Sequence, residues 1–277
     1  MQEIRSYRQF VQHDGLASKA RGLVRALVIA AQSSTRSIER SSDWIRFPYY
    51  HHVFGDEKKD FERQLRYLKN FGDFISMDTA HDMLTGSEKL SGRYFCVTFD
   101  DGFYSCLEHM MDVTGLLNVP VLIYLPTDYI GLDKNQPEEA QRIAHFYPDS
   151  PMLVPFLDWD DCRKMLNHNI QFGSHTCSHA HLIKLSEEKV ERELRVSKQK
   201  IEEELGVPCM HFASPWGRSG VDFNPEVLER TARKLGFKTA VTTNRGKEEQ
   251  GANPYHIHRD HILAKWGNYQ LRYFFGD

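Results

Sequence analysis

Apolar positions along this chain fall into two rhythms that take turns. Residues 93–99 (RYFCVTF) and Val121–Leu125 (VLIYL) are short, largely apolar runs, as expected of strands covered on both faces, and Ile170–Ser174 (IQFGS) reads as a strand of the same kind. Residues 47–53 (FPYYHHV), 74–75, 210–213, 237–242 and 256–262 read as further strands. Between these runs the spacing becomes helical: through Phe61, Leu65 and Leu68, over 104–117, 159–167 and 225–235, and most clearly over Glu187–Leu205. There Val190, Leu194, Ser197, Ile201 and Leu205 share one face, a core-facing stripe. The charged remainder reads as a solvated face without a functional role. Strands alternating with helices predict a parallel sheet, and seven or eight such units in roughly 230 residues predict a barrel.

Two stretches stand outside this pattern. Residues 1–45 form a polar, partly helical extension, and the barrel is expected over 46–277. Within the extension, 23–31 (LVRALVIAA) is too short to span a bilayer, and Arg25 interrupts what would be a signal-peptide core. An amphipathic helix lying on the domain is the expectation, with membrane-surface attachment as the alternative. Residues 126–157 carry prolines at 126, 137, 148, 151 and 155 and predict an irregular insertion loop over one end of the fold, a usual place for substrate contacts.

Composition narrows the function classes. The 277 residues are 40% hydrophobic and 26% charged, ordinary for a soluble globular protein. A formal net charge of −3 gives no polybasic field, so nucleic acid is not an expected partner. Cys96, Cys106, Cys162, Cys177 and Cys209 are scattered, with no CxxC pair, which argues against a disulfide framework or a cysteine zinc site. Reduced thiols fit a cytoplasmic protein.

Three clusters carry chemistry, each at the expected C-terminal end of a strand, where a parallel barrel collects function. The first is Thr98-Phe99-Asp100-Asp101-Gly102. Adjacent carboxylates at a strand end point in different directions, so one can bind a metal while the other faces a metal-bound water. A plain strand–turn–helix junction capped by Asp101 is the bland reading. The second is Gly173-Ser174-His175-Thr176-Cys177-Ser178-His179. Two histidines four apart on a helical turn share a face and, with a carboxylate, make an open two-His-one-carboxylate site for a divalent ion. HxxxH alone is weak; behind an apolar strand, in a chain with a strand-end Asp-Asp, it is much stronger. The third is His211-Phe212-Ala213-Ser214-Pro215-Trp216-Gly217, a strand ending in a turn that can aim a backbone N–H at an oxyanion and lay an aromatic face against a sugar. Taken alone it is a plain turn.

Together these clusters resemble the polysaccharide deacetylase family, the NodB-homology group of carbohydrate esterases. The first is similar to its TFDDG motif and the second to its H-[ST]-x-x-H motif. The third resembles its degenerate third motif, and Trp159-Asp160 resembles the Trp-Asp found ahead of the second. The resemblance runs over roughly residues 47–262 and implies a distorted (β/α) barrel of about seven strands. It implies Asp100 as general base, and Asp101, His175 and His179 as ligands of a divalent metal, zinc first. It also implies a substrate and oxyanion region at Trp216, Pro215 and Trp159, and an amino-sugar substrate. A metal lowers the pKa of a bound water to ~7 in favourable zinc sites, so a carboxylate base suffices.

The sequence departs from the family in three ways. The arginine that pairs with the base in many members is replaced by Ala213, the usual tyrosine of the third motif is Trp216, and no leucine-x-histidine motif stands near the C-terminus, where the chain reads Tyr255-His256-Ile257-His258-Arg259-Asp260-His261. Some members carry the acid histidine earlier, in a Tyr-His-x-Val segment. Tyr50-His51-His52-Val53 is similar, so His51 is the expected general acid, with His258 or His261 as alternatives. The expected function is removal of an N-acetyl or other small N-acyl group from an amino sugar. The alternatives are a carbohydrate-binding protein that kept the fold without turnover, and a hydrolase of a non-sugar amide.

Overall fold

The structure, a computed structural model, describes residues 2–11, 16–147 and 151–277, so Pro148 of the insertion lies outside the described residues. Seven strands form one sheet: β1 (Pro48–Tyr50), β2 (Val97–Phe99), β3 (Val121–Leu125), β4 (Ile170–Ser174), β5 (His211–Ala213), β6 (Thr239–Val241) and β7 (Asp260–His261). Their order is β7-β1-β2-β3-β4-β5-β6, and every neighbouring pair is parallel. The sheet curls until its edges meet: Ile257, just before β7, bridges Val241 of β6 and donates its N–H to Ala240 O at 3.2 Å. The expected distorted barrel of about seven strands is the fold observed.

Strand alternation sorts the apolar residues into two cores. Val97, Phe99, Val121, Ile123 and Phe212 lie between sheet and helices, beside Leu65, Leu194 and Ile201. Leu122, Tyr124, Ala213, Val241 and Ile257 fill the barrel, which the helix Met77–Thr85 closes through Met77, Ala80 and Leu84. Gly173 makes the interior fit, because a Cβ there would lie 2.7 Å from the Tyr124 ring and 2.8 Å from His211 O. The same alternation turns Thr98 and Asp100 inward, away from the helix side occupied by Val97 and Phe99.

Several elements differ from expectation. The run 93–99 breaks at Cys96, whose N–H donates to Arg46 O at 2.9 Å. Its first half, Arg93–Phe95, belongs to a second, four-stranded sheet with Lys247–Glu248, Trp44–Arg46 and Asp73–Phe74. The chain thus bends from one sheet into the other, as it does between Trp44–Arg46 and β1. The expected helix over 104–117 opens with a wide π-type turn, Cys106–Met110, before Met111–Leu117. The insertion is not wholly irregular: Pro137 starts the helix Pro137–Ala144, where its fixed φ and missing N–H are tolerated. The extension contains Leu16–Ser33, a helix packed on Asn268–Phe275. Among the described residues no helix is long and apolar enough to cross a membrane.

Candidate active site

Asp100 and Asp101 leave the end of β2 in different directions. Asp100 is buried and faces Arg259, which donates two hydrogen bonds to its carboxylate, each of 2.7 Å. Arg259 is itself fully buried, bonds Thr98 Oγ1 at 3.1 Å and Thr242 O at 3.0 Å, and lies 4.3 Å over the Tyr49 ring. Burial alone would raise the Asp100 pKa; the Arg259 charge, with His175 nearby, more than reverses this and holds the group below the ordinary carboxylate range. The sequence reading missed Arg259. It leaves the chain just ahead of β7, two residues after the inward-facing Ile257, so strand parity was the available signal.

Asp101 adopts φ 71°, a left-handed conformation, and Gly102 follows at φ 66°. This exit turns the Asp101 carboxylate toward the second cluster. His175 follows β4 and donates its N–H to Leu125 O at 3.0 Å, while its Nδ1 meets Ala213 O at 2.8 Å, which fixes the ring and leaves Nε2 facing inward. The segment between the histidines is a loop rather than the expected helical turn. Thr176 at φ 68° and His179 at φ 56° fold it back on itself, so that the two rings still converge. Glu193 fastens that loop: its carboxylate accepts from Cys177 N–H at 2.8 Å, Ser178 N–H at 3.0 Å and Ser178 Oγ at 3.0 Å. Glu193 lies on the polar remainder of Glu187–Leu205, which the helical pattern had left without a role. A solvated face can also reach a loop packed beside it.

The donor set fits a divalent cation. Nε2 of His175 and Nε2 of His179 each lie 3.4 Å from Asp101 Oδ1, and the three potential ligand atoms are all within 4.8 Å of one another. Asp101 Oδ1 is buried and makes no hydrogen bond of proper geometry. Such an orphaned buried oxygen is costly unless a further partner meets it. Burial would raise the Asp101 pKa, but His175, His179 and His51 together push it well below the ordinary value. Burial depresses His179 to about 4, so it is neutral at pH 7, the form that ligates a metal.

These groups open into a cavity of about 360 Å³. His51 lines it, with Nε2 3.9 Å from Asp101 Oδ2. His261 also lines it, ring against ring with His51 at 5.1 Å, but burial pushes its pKa down to about 3. His258 is turned away from the cavity toward Glu248, 2.7 Å from Nδ1. Trp216 stands at the rim at φ 62°, its ring stacked on His181 at 4.5 Å. Pro215 and Trp159 do not line the cavity. Trp159 is the first residue of the helix Trp159–Met165, behind an Asp158–Asp161 capping box, and its ring faces Gly131 and Lys200. Tyr7 and Phe10, from the extension, complete the apolar side of the rim.

The chain is 25% identical over 203 residues to YxkH of Bacillus subtilis (strain 168), provisionally named a polysaccharide deacetylase. The match takes in 73% of this chain but 63% of that protein's length. Among solved structures, IcaB from Ammonifex degensii superposes with a TM-score of 0.69 at 21% identity, covering 84% of this chain and 97% of that one. The Streptococcus pyogenes deacetylase PplD, solved with acetate, gives 0.64 at 18% identity, covering 85% and 98%. A de-N-acetylase from Aggregatibacter actinomycetemcomitans gives 0.66 at 16% identity, covering 84% and 100%. At these identities the structures bear on the fold. The family description "Polysaccharide deacetylase" matches residues 87–240, more than half of the chain and all three clusters, and the chain therefore belongs to the polysaccharide deacetylase family.

Proposed function

We propose that the protein is a metal-dependent hydrolase that removes an N-acetyl or other small N-acyl group from an amino sugar in a glycan or glycan precursor. The observation that carries this reading is the convergence of Asp101, His175 and His179 beside an Asp100 held ionised by Arg259. Asp101, His175 and His179 would hold a divalent metal, zinc first for a His₂-carboxylate set, which would act as a Lewis acid on the acyl carbonyl and acidify water. Asp100, ionised at neutral pH, takes a proton from the attacking water as the carbonyl carbon becomes tetrahedral. The Trp216 N–H, which donates to none of the described residues, is free to meet the oxygen that gains charge.

The departing nitrogen needs a proton, and His51 is the donor. It stands on the cavity side of Asp101, whereas His258 faces elsewhere and His261 is too weakly basic to be protonated at neutral pH. Arg259 supplies a buried counter-charge to the base, so Ala213 in the third cluster does not leave Asp100 unpaired, which supports turnover over mere binding. Five free cysteines support a reducing compartment such as the cytoplasm. The test is metal analysis together with release of acetate from chitooligosaccharide. Bound metal without any acetate release from this or other N-acetylated sugars would leave a binding protein instead.

A further inference from the structure

The helix of the N-terminal extension and a cavity at its far end lie outside the catalytic pocket and do not depend on how that pocket is read. On Leu16–Ser33 the buried Ile29 and Ser33 face the protein, and Arg272 reaches Ser33 Oγ at 3.5 Å. The outer side carries Val24, Leu27 and Val28, which are 62%, 64% and 50% exposed. Their spacing places them on one ridge of the helix, and the exposed Ala31 continues it. From residue 15 to residue 38 the chain contains Lys19, Arg21, Arg25 and Arg36 and no acidic residue. An apolar ridge within a purely basic segment is the pattern of a helix that lies in the headgroup layer of an anionic membrane.

Just past this helix, a cavity of about 630 Å³ is lined by Arg36, Arg40, Arg46 and Arg245, with Asp260 and Asp277 as its acidic groups. Asp260 is taken by Arg46 at 3.1 Å and Arg245 at 3.3 Å, and Asp277 by Lys247 at 2.8 Å. Arg36 and Arg40 are exposed and donate to carbonyl oxygens of Tyr273 and Thr35, and neither is ion-paired among the described residues, Glu39 between them included. Arg46 Nε is buried without a hydrogen-bond partner. Four guanidiniums against two carboxylates leave a positive surplus, with planar donors suited to phosphate oxygens.

We propose that this face docks on an anionic phospholipid surface, with Val24, Leu27 and Val28 among the outer ends of the acyl chains and a lipid phosphate held by Arg36 and Arg40 at the cavity. A soluble phosphate would use the arginines but not the ridge, and the ridge beside them is what selects the lipid. The test is co-sedimentation of the full chain with phosphatidylglycerol–phosphatidylcholine vesicles and with phosphatidylcholine alone. The wild type binds the first, less as salt rises, and not the second. Arg36→Ala with Arg40→Ala lowers the partition coefficient by about 30-fold, the combined worth of two arginines at an anionic surface. Leu27→Glu with Val28→Glu removes binding, and both variants keep the thermal midpoint of the wild type. Undiminished binding in either variant overturns the proposal. So does a wild type that ignores vesicles but is stabilised by pyrophosphate, which means a soluble ligand. A wild-type dimer that Leu27→Glu with Val28→Glu dissociates, without vesicle binding, overturns it in favour of a second copy on the ridge. Because Arg36 and Arg40 are exposed, their variant decides the outcome even if the glutamate pair perturbs the helix.

Discussion

Replacing Arg259 by methionine tests the central electrostatic arrangement. Methionine roughly keeps the volume of the side chain but removes both 2.7 Å bonds to Asp100, and leaves Thr98 Oγ1 and Thr242 O without their donor. The two side chains are 0% and 4% exposed, so water cannot replace the lost charge. Breaking a buried pair from one side costs ~3–5 kcal/mol, against a total stability of ~5–15 kcal/mol for a domain. Arg259→Met is therefore expected to lose a large part of the stability at pH 7. Arg259→Met with Asp100→Asn leaves no uncompensated charge and recovers much of the loss. Urea unfolding of the wild type, both single variants and the double, with chelator present so that metal binding does not enter, measures the coupling. A coupling energy of at least ~2 kcal/mol is expected, and additivity within ~0.5 kcal/mol would refute the argument. The pH dependence has a definite sign. In the wild type the folded Asp100 pKa is depressed, so its stabilisation is present above the ordinary carboxylate value and lost as pH falls through the folded one. In Arg259→Met burial loses its main opponent, with only His175 and His51 left against it, so the folded pKa rises and the stability lost relative to the wild type is small at low pH and grows as pH rises. The gap between the two proteins should narrow from pH 7 toward about pH 4.

Further outcomes follow from the proposed roles. His175→Ala or His179→Ala should remove both bound metal, read by elemental analysis, and acetate release; a variant that keeps full metal content would place the ion elsewhere. Asp100→Asn should retain metal but lose turnover by ~10²–10⁴, and near-normal turnover would mean that another group activates the water. His51→Ala should keep fold and metal, lose most turnover on N-acetyl sugars, and lose much less on nitrophenyl acetate, whose leaving group needs no proton. Equal losses on the two substrates would assign His51 a structural task.

The strands of the barrel sheet and the long helices could be read from the sequence because each is specified within its own stretch of chain, whereas Trp44–Arg46 and Lys247–Glu248 of the second sheet were not. Glu187–Leu205 and its buried stripe Val190, Leu194, Ser197, Ile201 and Leu205 agree with the pattern residue for residue. Asp100, Asp101, His175 and His179 stood out because close local spacing carries them. What stayed hidden depends on contacts between distant segments. Cys96 interrupts an apolar run for a reason that lies in a second sheet, and no periodicity records that. Arg259 meets Asp100 across 159 positions and only once the sheet has curled shut. Glu193 looks like any charged residue of a solvated helix until the histidine loop packs over it.

The wide separation of Asp100 and Arg259 bears on how the chain is made. At synthesis rates of ~5–20 residues per second, the guanidinium is added roughly 8–30 s after the carboxylate. During that interval β1, β2 and β3 are available to pair, but a dry barrel around Asp100 would enclose an ion without its counter-charge. The nascent sheet is therefore expected to stay open and hydrated on its concave side until residues 257–262 arrive between β6 and β1. Ribosome-bound intermediates stalled before Arg259 should expose that side to proteases and to chaperones, and release from the stall should bury it in a single late step.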